Sequence, residues 1–267
     1  MHIEGKTKIV APLWEGADVG LVTTKDDITA GDGAKHDVMP GKAELATRTT
    51  CNVFEYLRTE GTPVAYIGRD GPTTFLTRIC NMIPVEVVVR RIATGSYLKR
   101  HPNVVEGTIF EDPVIECFYK TTGRCIGNQP LPCDDPLMEW NQTDGRYDLY
   151  LPNKPSADGF IDWLDLSDAD AEMLKRQLDV CTVIATDINE YLCDAWLMLD
   201  GTLYDFKLEF GTLPNGSVLL ADVVDCDSWR VTWNGIQLSK QGYRDGDDLS
   251  RVFGVYRLAA SLTDQLV

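Results

Sequence analysis

The sequence predicts an α+β protein of two lobes, built from antiparallel sheets with flanking helices, and three observations carry that prediction. Segments that alternate apolar and polar residues with a period of two recur along the chain, as half-buried strands do. Three longer stretches, 42–60, about 167–199 and from about 248 onwards, place their apolar residues at helical spacing instead. Asn215-Gly216 sits between two strand-like runs, the dipeptide that best fits a tight β-hairpin turn. Residues 1–81 read as a β-rich lobe carrying one helix and 82–267 as a larger α+β lobe, the two making one functional unit.

Taken in order, Ile3 to Val10 alternates around Lys6 and Lys8 and reads as one strand, followed by a second at Val19–Thr24. Gly5-Lys6-Thr7 is not a Walker A loop, because that motif needs a glycine five residues ahead of its Gly-Lys. Two readings remain, a lysine-bearing strand whose glycine admits a ligand close to the backbone and a solvated edge strand. Thr29 to Lys35, with Gly31, Asp32 and Gly33 at its centre, fits a small-residue loop folding over a ligand, or a plain turn. Leu45, Thr49, Val53 and Leu57 mark a helix over 42–60 that stops at Gly61. Pro63 to Gly68 and Thr74 to Arg78 read as strands.

Met82 to Ile92 is a β-branched run, and Pro84 near its start favours a strand at a lobe boundary, where free backbone groups could receive a nucleotide base. Arg90, Arg91, the small residues Ala93 to Ser96, then Lys99 and Arg100 suggest an anion pocket, since guanidinium forks match phosphate; a solvated helix end fits as well. Gly123 to Gly159 is rich in proline and glycine and reads as a long irregular loop. Ser167 with Asp170 opens a helix whose stripe of Leu174, Leu178, Cys181, Ala185, Ile188, Leu192 and Trp196 is core. Trp233 to Gly246 reads as a polar connector containing Lys240, Tyr243 and Arg244.

Between these, Asp205-Phe206-Lys207-Leu208-Glu209-Phe210 puts Asp205, Lys207 and Glu209 on one strand face. With Asn215 and Gly216 as a two-residue turn, Glu209 falls opposite Asp222, and two opposed like charges require a cation. Mg²⁺ suits such a pair, completed by water and phosphate, with Lys207 as a point charge for the phosphate. The same alternation also fits a solvated face on which Lys207 screens two acids.

Composition narrows the function. A formal net charge of −16 argues against a general nucleic-acid or membrane-surface binder, and no apolar run is long enough to span a membrane. Eight cysteines without a C-x-x-C pair read as reduced thiols, mostly buried, and the expected compartment is the cytoplasm. Three scattered histidines make zinc or serine–histidine chemistry a poor fit.

EGKTK (4–8), ITAGDGAK (28–35), MIPVEVVVRRIATGSYLKR (82–100), DDPL (134–137), YDFKLEFG (204–211), VLLADVVDCDSWR (218–230) and SKQGYRDG (239–246) occur in the order found in the SAICAR synthetase family, and the chain resembles that family from end to end. The resemblance implies an ATP-grasp- or kinase-like nucleotide cleft between the lobes. It implies an ATP-dependent ligase that joins L-aspartate to the carboxylate of carboxyaminoimidazole ribonucleotide (CAIR) through an acyl phosphate in purine biosynthesis. Position by position, it implies that Lys6, Lys8, Met82, Val85, Glu86 and Lys207 meet ATP, and that Lys207, Glu209 and Asp222 are catalytic, the two acids holding Mg²⁺. Arg90, Ser96, Asp135, Arg230, Lys240 and Arg244 correspond to substrate contacts, and Gly31 to Gly33 to a flexible loop. A homo-oligomer is left open. The competing reading is a ligase or small-molecule kinase of the same fold acting on another acid or amine.

Overall fold

Helix Asp168–Met198 shows how directly the sequence builds its elements. The Ser167 hydroxyl accepts the Asp170 backbone N–H at 3.2 Å, capping the first turn. The apolar stripe from Leu174 to Trp196 is buried along its whole length, against the central strands of a large sheet. The computed structural model describes residues 2–31 and 33–267.

That sheet has nine strands, all paired antiparallel. In spatial order they are Phe160–Trp163, Arg146–Tyr150, Leu137–Asn141, Ile109–Tyr119, Asn81–Ile92, Gly201–Thr212, Trp229–Trp233 and Ile236–Gln237, with Val218–Ala221 pairing the far end of Gly201–Thr212. Alternation sets the two faces. Val85, Val87 and Val89, with Phe206, Leu208 and Phe210, are buried in the core; each such side chain stabilises the fold by roughly 1.5–3 kcal/mol. Glu86, Val88 and Arg90, with Asp205, Lys207 and Glu209, occupy the other face.

A second sheet has five strands, in the order Ile3–Glu4, Lys8–Pro12, Val19–Thr24, Thr74–Arg78 and Tyr66–Arg69. Helix Lys42–Thr59 covers it, and the Phe54 ring meets those of Tyr66 and Phe75 at 5.5 and 6.3 Å. The last long helix, Leu249–Thr263, is capped by Asp248 and packs on Lys42–Thr59. Asp264 just beyond it accepts hydrogen bonds from Arg48 at 2.7 Å and Asn52 at 2.9 Å. One hydrophobic core runs from Val22 and Phe75 through Trp196 and Phe206 to Leu262. No helix among the described residues is long and apolar enough to cross a membrane. All eight cysteines are free; three are buried and five partly exposed, fewer buried than expected.

Several predicted elements need correction. The segment Ile3 to Val10 is two strands, not one: Ile3–Glu4 folds back on Lys8–Pro12, and the Gly5 N–H donates to the Lys8 carbonyl at 2.8 Å. Alternation alone cannot tell one strand from two short ones across a turn. The strand expected at 63–68 forms at Tyr66–Arg69. The expected loop 123–159 contains the hairpin Leu137–Asn141/Arg146–Tyr150, closed by Gly145 donating to Asn141 at 2.9 Å. Its buried Leu137, Met138, Tyr147 and Leu149 supply the apolar face that the surrounding prolines and glycines obscure. The connector at 233–246 holds strand Ile236–Gln237 and helix Gln241–Asp245. Asn81–Ile92 is an interior strand, with Pro84 accommodated where pairing to both neighbours is irregular or ends.

Candidate active site

The polar face of the nine-stranded sheet sets out two clusters by register alone. Asp205 lies opposite Arg90 on one neighbouring strand and opposite Arg230 on the other. Two positions along, Lys207 faces Val88, and two further Glu209 faces Glu86. Guanidinium groups therefore gather at one end of this face and acids with lysines at the other.

At the acidic end, Lys207 Nζ donates to Glu86 Oε1 and to Glu209 Oε1, each at 2.8 Å. Lys120 Nζ donates to Glu209 Oε2 at 2.5 Å, and Lys8 donates to Asp222. Asp222 reaches this cluster by a route other than the two-residue hairpin predicted from Asn215-Gly216. The hairpin loop has three residues, Pro214 to Gly216, with Gly216 at φ +86° and its N–H donating to Leu213 at 2.9 Å. Thr212 consequently pairs with Val218, and Glu209 faces Ala221 rather than Asp222. The one-residue shift would send a strand-like Asp222 to the opposite face. Instead Asp222 leaves the strand with φ +61°, a conformation that costs a non-glycine residue about 1–2 kcal/mol, and its carboxylate meets Lys8.

Electrostatics hold Asp222 and Lys207 ionised. Burial works to raise the Asp222 carboxyl, but Lys8, Lys207 and Lys120 bring it down to about 2. Burial presses the Lys207 ammonium down, and Glu209, Glu86 and Asp222 outweigh it, leaving its pKa well above the ordinary lysine value. The donor set fits Mg²⁺. Glu209 and Asp222 supply two hard carboxylates already surrounded by cations, and no cluster of three or more His, Cys, Asp and Glu among the described residues forms a complete protein cage. Two carboxylates completed by water and phosphate is the arrangement Mg²⁺ accepts.

At the other end, buried Arg90 donates to Glu116 at 2.5 Å, to Asp205 at 2.9 Å and to Ser96 Oγ at 3.3 Å. Arg230 donates to the same Asp205 oxygen at 3.0 Å, and Arg100 shares Glu116 with Arg90. Gly95, at φ +61°, lies against the Arg230 guanidinium: a Cβ there would stand 2.4 Å from Nη1. Three arginines thus share two carboxylates. Lys240 and Arg244 add positive charge nearby; the Lys240 ammonium is 3.7 Å from Asp227, and among the described residues the Arg244 side chain hydrogen-bonds only the neutral Gln241. In a chain of net charge −16, a cluster this short of acid has the charge to receive an anion.

The nucleotide-side candidates are placed unevenly. Lys8 joins the acidic cluster, whereas Lys6 sits in the turn of the N-terminal hairpin, close to Gly33. Gly31 and Gly33 lie between the strands of a two-stranded flap, Asp27–Ala30 with Lys35–Val38; Asp32 lies outside the described residues. The flap is fastened to helix Gln241–Asp245. Tyr243 donates its hydroxyl to Asp37 at 2.9 Å, and Lys35 donates to the Tyr243 carbonyl at 2.6 Å. Gly31, Gly33 and Ala34 face Gly123, Arg124 and Asp134 across a cleft of about 490 Å³.

Glu86 belongs to the acidic cluster, Met82 is half exposed, and the Val85 side chain is 1% exposed in the core. Because Asn81–Ile92 is interior, most of its backbone groups are committed to its neighbours, and the free edge expected there exists only around Pro84. Asp135 braces its own loop, accepting from the Thr121 N–H at 2.8 Å. Lys120 and Glu116 were missed in the sequence. Both lie in or just after an alternating strand, but only cross-strand register reveals what they face.

The SAICAR synthetase family model matches residues 1–125 and 151–253. A phosphoribosylaminoimidazole-succinocarboxamide synthase from Roseiflexus castenholzii is 36% identical over 99% of this chain and 96% of its own length. Among solved structures, a SAICAR synthetase in complex with ADP superposes with a TM-score of 0.78 at 26% identity, covering 99% of this chain and 98% of its own. A SAICAR synthetase from Pyrococcus horikoshii gives 0.74 at 26% identity, with 97% of each chain covered.

Proposed function

The chain belongs to the SAICAR synthetase family, and on that premise we propose that it joins the amine of L-aspartate to the carboxylate of CAIR, consuming ATP and releasing ADP and phosphate. It is an ATP-dependent ligase of purine biosynthesis acting in the cytoplasm. One observation carries the assignment of substrates to places. The acid-poor arginine cluster at Asp205 and the lysine–carboxylate cluster at Glu209 lie on one strand face, about 13 Å apart at the usual strand rise.

In this reading Arg90, Ser96 and Arg230 hold the 5′-phosphate of the ribonucleotide, and Lys240, Arg244 and Asp135 complete the substrate contacts. Residues 1–81 form the nucleotide-phosphate side, with Lys6 and Lys8 on the ATP phosphates, the flap at 31–33 closing over them, and Met82 to Glu86 beside the base. The 82–267 part supplies Glu209 and Asp222, which would hold Mg²⁺; when bound, the ion neutralises phosphate charge during transfer. Lys207, fixed by Glu86 and Glu209, is placed to follow the transferring phosphoryl group. Carboxylate is a poor electrophile, and phosphorylating it supplies the leaving group that the amine displaces. No cysteine or histidine stands among these residues to act as a covalent nucleophile.

ADP release measured over a matrix of acids and amines tests the reading. Turnover should need both CAIR and aspartate. With ¹⁸O in the CAIR carboxylate, one labelled oxygen should appear in inorganic phosphate per amide formed. Turnover only with another pair, or label absent from phosphate, would overturn the substrate or the mechanism respectively.

A further inference from the structure

Lys42 opens helix Lys42–Thr59 and is 1% exposed. A lysine is poorly placed there, since a cation at a helix N-terminus opposes the dipole and a buried ammonium needs a carboxylate. Its partner comes from far along the chain: Lys42 Nζ donates to Asp227 Oδ2 at 3.0 Å, and the ammonium lies 5.5 Å from the Tyr256 ring centroid. The other Asp227 oxygen accepts the Tyr256 hydroxyl at 2.5 Å. Lys240 stands 3.7 Å from that same oxygen, beyond hydrogen-bonding distance, and its ammonium donates to no other side chain among the described residues.

We infer that Lys42 is a positioning residue for the ligase reaction proposed above: together with Tyr256 it holds Asp227 at ion-pair distance from Lys240 but short of a hydrogen bond, and so leaves the Lys240 N–H donors for an anionic oxygen of a substrate. Asp227 is the only acid within ion-pair reach of Lys240 among the described residues. Released from Lys42, it can close that gap, and the substrate then meets Lys240 already hydrogen-bonded to Asp227. Lys42 touches no substrate in this scheme; its effect passes through Asp227.

Acetylation of Lys240 by sulfo-N-hydroxysuccinimidyl acetate, followed by peptide mass spectrometry on the full chain, reads this without any turnover. Lys42→Met should slow modification of Lys240 about fivefold, as a new charge-assisted contact would. Adding Asp227→Asn to that variant should restore the parent rate. In the ligase assay Lys42→Met should raise KM for aspartate or for the ribonucleotide and leave KM for ATP unchanged; whichever rises identifies the anion, carboxylate or phosphate, that Lys240 receives. Should Lys42→Met fail to fold, Tyr256→Phe, which frees the other oxygen, should slow the labelling in the same direction. Unchanged Lys240 labelling in a folded variant, or equal increases in all three KM values, overturns the inference. A parent enzyme that never turns over these substrates counts against the ligase reading alone, because the labelling result stands without it.

Discussion

Glu86 and Glu209 face one another across neighbouring strands and share the Lys207 ammonium, which donates to each at 2.8 Å. Two like charges at directly opposed positions destabilise a bare sheet, so a cation between them is a structural necessity as well as a chemical tool. A two-residue turn at Asn215-Gly216 predicts this opposition at Glu209 and Asp222. It is realised between Glu209 and Glu86, while Asp222 enters from the end of the hairpin.

Glu209→Gln keeps the shape of the side chain and leaves Lys207 paired with Glu86, so the fold should survive. The Mg²⁺ concentration giving half-maximal rate should rise. A titration of rate against Mg²⁺ that superposes on that of the parent would remove Glu209 from the metal site.

Arg230→Ala should weaken the ribonucleotide roughly 10- to 150-fold, the range for losing one charge-assisted contact of about 1.5–3 kcal/mol. Gly95→Ala should strike the same substrate, because its Cβ would intrude on the Arg230 guanidinium and φ +61° with ψ −132° is a backbone conformation that strains a side-chain-bearing residue. KM for ATP is the control for both. Parallel losses for ATP would assign Arg230 to the nucleotide or to the fold.

Glu116 holds two buried arginines, Arg90 and Arg100. Glu116→Gln leaves both without its charge and should destabilise the protein by about 3–5 kcal/mol, read as a shift of the urea midpoint. Arg230→Ala, at a partly exposed position, should move that midpoint far less.

Burial and the neighbouring Asp227 charge push the Asp225 carboxyl up to about 6. As pH falls below 7 the folded chain binds a proton there that the unfolded chain takes up only near about pH 3.9. This group therefore favours the folded state increasingly as pH drops through 6. Asp225→Asn keeps an oxygen to accept the Asp227 N–H and should be no less stable than the parent at pH 7. Between pH 7 and 5 its urea midpoint should gain less than that of the parent. Parallel curves would show that Asp225 does not titrate in this range.

What was legible in the sequence follows from the range of the interactions involved. Helix Asp168–Met198, its Ser167 cap and its buried stripe depend on spacings of three to seven residues, and all stand as read. The face shared by Asp205, Lys207 and Glu209 is equally local. The hairpin partner of Glu209 was misread because Asn-Gly suits two loop lengths, and Gly216 serves the longer one with its left-handed φ. Lys120, Glu116 and Lys42 stayed hidden for a different reason. Each matters through a residue between 26 and 185 positions away, and nothing local announces such a partner.

The packing of helix Lys42–Thr59 against Leu249–Thr263 also bears on how the chain is made. Lys42 waits for Asp227, the flap for Tyr243, and Arg48 and Asn52 for Asp264. A ribosome emits the first helix early, yet the surfaces that cover and neutralise it leave the exit tunnel last. During synthesis the N-terminal part therefore carries an unpaired buried-type lysine and an uncovered helix face, the state in which nascent chains are most open to chaperones and to misassociation. Chains cut short of helix Leu249–Thr263 should keep that face of Lys42–Thr59 uncovered, however complete their nine-stranded sheet.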